Sequence, residues 1–200
     1  MDQERGQKLP SVVIVILEFE AFENDVADTV ESIIRICKSC EVLVVSEDIV
    51  YPPFILPKTV KHHILAPDIN RIVPDVLSII RSHKYLLLLP DGARLSSLEQ
   101  LMDLVRLLES GDGTGVVVGV GGGKGIQCQQ LNFNVPRWEL HISTTPDSEA
   151  CDAVLGRAAV LMRSVQFVNL TLPWSRPLSL GLGIQGTHRK WKYHVAKGML

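Results

Sequence analysis

No stretch of this 200-residue chain holds the roughly 18 to 20 consecutive apolar residues that a membrane-spanning helix needs. The polar start from Met1 to Lys8 likewise lacks the hydrophobic centre of a secretory signal. No targeting or anchoring segment is therefore legible. Neither sign of charge dominates: 20 Lys and Arg stand against 22 Asp and Glu, a formal net charge of -2. That balance excludes the overall basic field of a general nucleic-acid binder. Internal repeats and low-complexity linkers are also missing, so nothing divides the chain. What it does have is a 46% apolar composition, enough to bury a sizeable core without help from metals. The expectation is a polar extension over 1–10, one domain over 11–195 and a short end over 196–200. A local basic cluster of His188, Arg189, Lys190, Lys192, His194 and Lys197 could meet phosphate or an anionic surface, but a solvated end is the simpler reading.

The pattern is alternation of strand and helix. Ser11 to Leu17 is a nearly continuous β-branched run, the mark of a strand covered on both faces. Asn24 can cap a helix whose apolar stripe is Val26, Val30, Ile33, Ile34 and Cys37, and Val42 to Val45 is a second buried strand. The prolines of Tyr51 to Pro57 impose an extended loop. Then come a short strand at His62 to Leu65, a short helix from Pro74, and a buried strand at Tyr85 to Leu89 ending in the turn Pro90-Asp91-Gly92. Ser96 with Glu99 has capping-box spacing for a helix carrying Leu98, Leu101, Met102, Val105 and Leu108. Gly115 to Val120 is a further strand. Beyond it the order loosens into short strands at Leu131 to Phe133, Trp138 to Ile142 and Val154 to Met162. This predicts an α/β fold: a mostly parallel sheet flanked by helices, with an irregular mixed second half and a crevice at the carboxyl ends of the strands.

Several motifs invite chemistry. Gly119-Val-Gly-Gly-Gly-Lys-Gly125 looks like a phosphate loop, but Val118 and Gly125 stand where that motif needs glycine and Ser or Thr, which leaves a surface loop. Gly181-Leu-Gly-Ile-Gln-Gly186 matches the dinucleotide fingerprint, yet no acidic residue follows Asp152 to hold a ribose, so the match is chance. Cys37 and Cys40 have redox or zinc spacing. They close a predicted helix instead of opening one, and no second half-site follows, so they read as ordinary, partly buried thiols. Cys128 and Cys151 flank a loop-rich stretch, where a bridge would close a loop of about 24 residues and stabilise by about 3 kcal/mol. Asn169-Leu-Thr171 is a glycosylation sequon. The strongest enzymatic candidates are Glu18 and Glu20 after the first strand, with Asp91 after the Tyr85 strand. Nucleotide-sugar transferases of this layout hold a divalent metal there on an Asp-x-Asp pair. Here Ala93 and Arg94 follow, the second carboxylate is missing, and only Asp147 or Asp152 could replace it.

Glu18-Phe-Glu-Ala-Phe-Glu-Asn24, Tyr51-Pro-Pro-Phe-Ile-Leu-Pro57, Pro90-Asp-Gly-Ala-Arg94, Cys151-Asp-Ala153 and Asn169-Leu-Thr-Leu-Pro173, in this order, resemble the stem region of the fukutin-related protein family, from about Ser11 to Val195. The resemblance implies a glycosyltransferase-A-like fold that performs no transfer, joins subunits as a homo-oligomer and presents a separate catalytic domain. In the family that domain moves ribitol 5-phosphate from CDP-ribitol onto the O-mannosyl glycan of α-dystroglycan in the Golgi lumen, using a divalent metal and a structural zinc. Their motifs are not in this chain, which is expected to hold no cofactor and to be inactive by itself. The resemblance further makes Cys128 and Cys151 the stem disulfide and Asn169 a glycosylated asparagine. The chain departs from the family in its glycine-rich loop, in Cys37 and Cys40, and in lacking the family's N-terminal membrane anchor. Asn132-Phe-Asn134-Val-Pro136, which cannot be glycosylated, replaces a further family sequon. The rival reading is an active metal-dependent glycosyltransferase built on Glu18, Glu20 and Asp91.

Overall fold

The computed structural model describes residues 11–17, 25–47, 53, 55–65, 74–111, 115–120, 127–145, 150–155, 158–175 and 177–196. Its centre is an eight-stranded sheet, and the unbroken aliphatic runs form the inner strands because only positions covered on both faces tolerate them. In chain order the eight strands of the sheet are β1 (Val12–Leu17), β2 (Glu41–Ser46), β3 (Lys61–Ile64), β4 (Tyr85–Pro90) and β5 (Gly115–Val120), followed by β8 (Ala150–Cys151), β10 (Ala158–Arg163) and β11 (Lys192–Ala196). The spatial order is β3-β2-β1-β4-β10-β5-β11-β8. Strands β3, β2, β1 and β4 run parallel, and β5 runs parallel to β11. Strand β10 inserts antiparallel between β4 and β5, and β8 lies antiparallel along the β11 edge. A second sheet of three strands contains β7 (Glu139–Thr145), β6 (Gln127–Asn134) and β9 (Ala153–Leu155), in that order.

Helices cover both faces of the large sheet. Odd and even positions along each strand point to opposite sides, so two cores form. Ile14, Ile16, Leu87 and Leu89 meet α1 (Val26–Ile36) and α3 (Leu98–Ser110) through Val30, Ile33, Leu101 and Leu104. Val13, Val15, Leu86 and Leu88 meet α2 (Pro74–Arg81), α4 (Ser164–Val168) and α5 (Leu178–His188) through Val76, Ile80, Phe167 and Leu182. The predicted α/β class with a mostly parallel sheet and a mixed second half is the observed one.

Four local expectations are corrected. Asn24 lies outside the described residues, and Asp25 occupies the cap of α1 without a side-chain cap bond. The cap of α3 sits one residue later than expected, at Ser97, whose hydroxyl accepts the Gln100 N–H at 3.2 Å, while Gln100 Oε1 accepts the Ser96 N–H at 2.9 Å. The span from Val154 to Met162 reads as one strand, but it supplies parts of two, separated in the sequence by Gly156-Arg157: β9 joins the small sheet and β10 the large one. Cys37 and Cys40 are not thiols. Helix α1 stops at Ile36, Cys37 takes a non-helical φ of -136°, and the turn brings Cys40 to a Cα–Cα distance of 5.4 Å in a disulfide. Of the proline-rich segment only residues 53 and 55–57 are described, without regular structure. Removing the cap in Ser97→Ala should cost about 1 kcal/mol of stability, read as a lower urea midpoint with an unchanged slope.

Candidate functional site

The carboxyl ends of β1 and β4 define the crevice where such sheets bind ligands. Glu18 and Glu20 lie outside the described residues, so this end is read from Asp91 and its surroundings. Asp91 follows β4 directly, and its N–H donates to the carbonyl of Leu17 at 3.3 Å, pinning the turn to the end of β1. Its side chain is 0% exposed, which removes it from the solvent-borne metal it would have to share. Gly92 then takes a φ of 76°, a left-handed conformation that glycine adopts at little cost, and its N–H donates to Thr29 Oγ1 at 3.0 Å.

Ala93 stands where a second metal carboxylate would, and next to it is Arg94. Its guanidinium donates to Thr29 Oγ1, to the Ala93 carbonyl at 3.2 Å and to Asp25 Oδ2, with Asp28 Oδ2 at 4.0 Å. Thr29, fully buried one turn into α1, donates its hydroxyl hydrogen bond to the Asp25 carbonyl at 3.0 Å. The turn after β4 is therefore tied to the start of α1 by a guanidinium between carboxylates. A fixed positive charge there opposes a divalent cation. Beside it, Asp28, Glu31, Arg35 and Arg94 line a groove of about 370 Å³ whose charges are mixed in sign. Among the described residues no group of three His, Cys, Asp or Glu side chains could hold a metal ion.

The other candidates are dispersed. Asp147 lies outside the described residues. Asp152 accepts the Leu131 N–H at 3.1 Å and the Lys192 ammonium at 2.6 Å, so it fastens the small sheet to the edge of the large one. At the opposite, amino end of β4 the Tyr85 hydroxyl donates to Glu109 Oε1 at 2.6 Å, and this bond holds the Glu109 carboxyl below its ordinary pKa. Lys84 and Arg163 complete a latch far from the crevice. Near the β2 edge, burial and then neighbouring His63 hold the pKa of His62 down, with Ser46 Oγ at 2.7 Å from its Nε2.

The basic C-terminal cluster sits at the carboxyl end of α5, where cations complement the helix dipole. Lys190 takes a φ of 60° as the helix closes, and Arg189 donates to the Gln185 and Asn169 carbonyls. Lys197 lies outside the described residues. The fingerprint Gly181 to Gly186 falls inside α5, not at a strand-to-helix turn. Of the glycine-rich loop, residues 121–125 lie outside the described residues. Cys128 and Cys151 are joined in a disulfide with a Cα–Cα distance of 5.3 Å. Asn169 is exposed at the end of α4, open to a glycan. No described helix is long and apolar enough to cross a membrane. The ion pair of Arg94 with Asp25 was beyond sequence reasoning, since 69 residues separate the partners.

A doubly covered α/β sheet of nucleotidyltransferase- or glycosyltransferase-like fold is the class this geometry defines. The 2-C-methyl-D-erythritol 4-phosphate cytidylyltransferase from Thermus thermophilus shares the fold at a TM-score of 0.50 and 12% identity, over 94% of this chain and 88% of that one. The profile of the fukutin-related protein stem domain matches residues 2–200, and the chain belongs to that family. Two curated relatives, both named ribitol 5-phosphate transferase FKRP, are 33% identical in Mus musculus and 31% in Homo sapiens, each over 187 residues and 91% of this chain. The chain spans 37% of the length of each.

Proposed function

We propose that this chain is a non-catalytic assembly module. It joins subunits into a homo-oligomer and presents a ribitol 5-phosphate transferase domain carried elsewhere in the full-length protein. One observation supports the reading: Asp91 is buried at the end of β4, Ala93 stands where a second metal carboxylate would, and Arg94 ties the turn to Asp25 and Thr29. On this reading CDP-ribitol, a divalent metal and a structural zinc belong to the transferase domain, and the acceptor is the O-mannosyl glycan of α-dystroglycan. The module works in the Golgi lumen, reached through a membrane anchor outside these residues. A lumenal address also accounts for two disulfides and an exposed sequon, since both modifications require an oxidising, glycosylating compartment.

Titration of the purified chain with CDP-ribitol and a panel of UDP- and GDP-sugars, each with and without manganese, tests this directly. The expected result is no binding anywhere in the panel. Manganese-dependent binding that Asp91→Asn abolishes would overturn the reading in favour of a metal-dependent glycosyltransferase.

A further inference from the structure

The sequon Asn169-Leu170-Thr171 shows its side chains at the surface but not its main chain. Asn169 and Thr171 are exposed, while Leu170 between them is 3% exposed and belongs to the core that holds Trp174 and Leu182. Asn169 closes α4 at φ -90° and ψ 0°, and the Leu170 N–H donates back to the Phe167 carbonyl at 3.0 Å. The asparagine therefore sits on a tight turn, not on an extended segment.

Helix α5 fastens that turn from outside. Gln185 Oε1 accepts the N–H of Thr171 at 3.1 Å and that of Leu172 at 3.0 Å, and its Nε2 donates to the Leu172 carbonyl at 2.8 Å. One turn further along α5, Arg189 donates to the Asn169 carbonyl at 2.9 Å. Two side chains of one helix thus occupy main-chain groups of residues 169, 171 and 172. Both come later in the chain than the sequon they hold, by 13 to 20 residues.

We propose that docking of α5 closes this acceptor: Asn169 takes its oligosaccharide only while α5 is away from the turn, and Gln185 is the residue that shuts it. In the transfer, Asn169 Nδ2 bonds to the anomeric carbon of a lipid-linked oligosaccharide, the bond from that carbon to the lipid pyrophosphate breaks, and the amide gives up one proton to the enzyme. An enzyme that reads the asparagine together with the hydroxyl two residues on must surround the main chain between them. It competes with Gln185 and Arg189 for the same N–H and carbonyl groups, and with the core for Leu170. In the folded chain the site opens only through local unfolding of this segment. During synthesis the sequon emerges before Gln185 does, so the acceptor is free first and closed afterwards. A glycan already attached does not oppose docking, because Asn169 is exposed. In the cell the inference rests on the lumenal address proposed above; the experiment below does not.

The chain is made in a host that adds no glycan, purified folded, and offered to an oligosaccharyltransferase with a lipid-linked oligosaccharide; the glycosylated fraction is read by mass. A peptide of residues 165–175 is the open reference. The expected result is that the peptide is modified and the folded chain is modified at least about 10-fold more slowly. Gln185→Ala should recover about 10-fold, because the hydrogen bonds it removes hold the segment shut. Hydrogen exchange of the same variant should show Thr171 and Leu172 losing protection while β1 and β4 keep theirs, so that the gain is not general unfolding. Ser97→Ala lowers stability without touching α5 and should leave the rate at the wild-type value. A folded chain modified as fast as the peptide would overturn the inference, as would a peptide that is not modified at all. So would Gln185→Ala at the wild-type rate, or Ser97→Ala accelerating as much as Gln185→Ala, since the route would then be global unfolding. Each of these results leaves the assembly reading untouched.

Discussion

Gly183→Ala should destabilise the chain by about 2 kcal/mol, although alanine is the better helix former by about 1 kcal/mol and the site lies within an eleven-residue helix. A methyl group on Gly183 would sit 2.5 Å from Ala153 Cβ and 2.8 Å from the Asp152 carbonyl oxygen. Both belong to the segment that follows the Cys128–Cys151 bridge, and a main-chain oxygen cannot swing aside as a side-chain tip can. Helix and strand must separate, and overpacking of this sort costs about 1 to 3 kcal/mol or more, which outweighs the gain in propensity. Gly186 has a similar constraint, since its added carbon would lie 2.8 Å from Trp191 Cε3 in a residue only 5% exposed. Gly111, at the end of α3, meets nothing closer than 3.8 Å and has an ordinary negative φ of -80°. Gly111→Ala is therefore the control, expected within about 0.5 kcal/mol of wild type. Urea unfolding of the two variants side by side decides the point. Equal stabilities would mean that α5 does not lie as close to the small sheet as its glycines indicate.

That result also explains a motif. Gly181 to Gly186 carries the spelling of a dinucleotide fingerprint, and its glycines do serve close approach, but to a neighbouring backbone segment and to Trp191 instead of a pyrophosphate. The sequence excluded the nucleotide role, since no acidic residue follows, yet it did not reveal the helix. Three glycines spread over eleven residues weaken helix propensity, and Leu178, Leu180, Leu182 and Ile184 alternate as a strand would. Tertiary packing decides this segment.

The same physics separates what was legible from what was not. Strands β1, β2, β4 and β5 announce themselves because burial on both faces demands unbroken aliphatic runs. Gly156-Arg157 interrupts residues 153–163 between β9 and β10, but composition does not tell that the two apolar pieces join different sheets. The insertion of β10 between β4 and β5 was hidden for the same reason. At the site, the missing second carboxylate after Asp91 could be read directly. The burial of Asp91 could not, nor could the clamp on Arg94, because both depend on α1 lying against the turn after β4 at long sequence separation. The Cys37–Cys40 bridge escaped because a helix carried through Cys37 would leave two ordinary thiols. The helix stops one residue earlier, and the turn that follows brings the sulfurs together.

Replacing Cys128 and Cys151 together with alanine should cost about 3 kcal/mol, the larger effect of the two disulfides. The bridge spans a sequence separation of 23 residues, so in the unfolded chain it restricts a long loop, whereas Cys37 and Cys40 are only 3 apart and their loop-closure contribution falls to about 2 kcal/mol. Location reinforces the difference. Cys128 lies in β6 of the small sheet and Cys151 in β8 at the edge of the large one, both almost fully buried. Cys151 also faces Tyr193 of β11, whose phenol burial keeps neutral by pushing its pKa well up. Without the bridge the small sheet is held by Lys192 on Asp152, the backbone bond from Asp152 to Gln129 and the packing of α5. Loss of protection in hydrogen exchange should therefore appear first in β6, β8, β9 and the β11 edge, while β1 and β4 keep theirs. A uniform loss across both sheets would mean that the bridge acts on the unfolded chain alone.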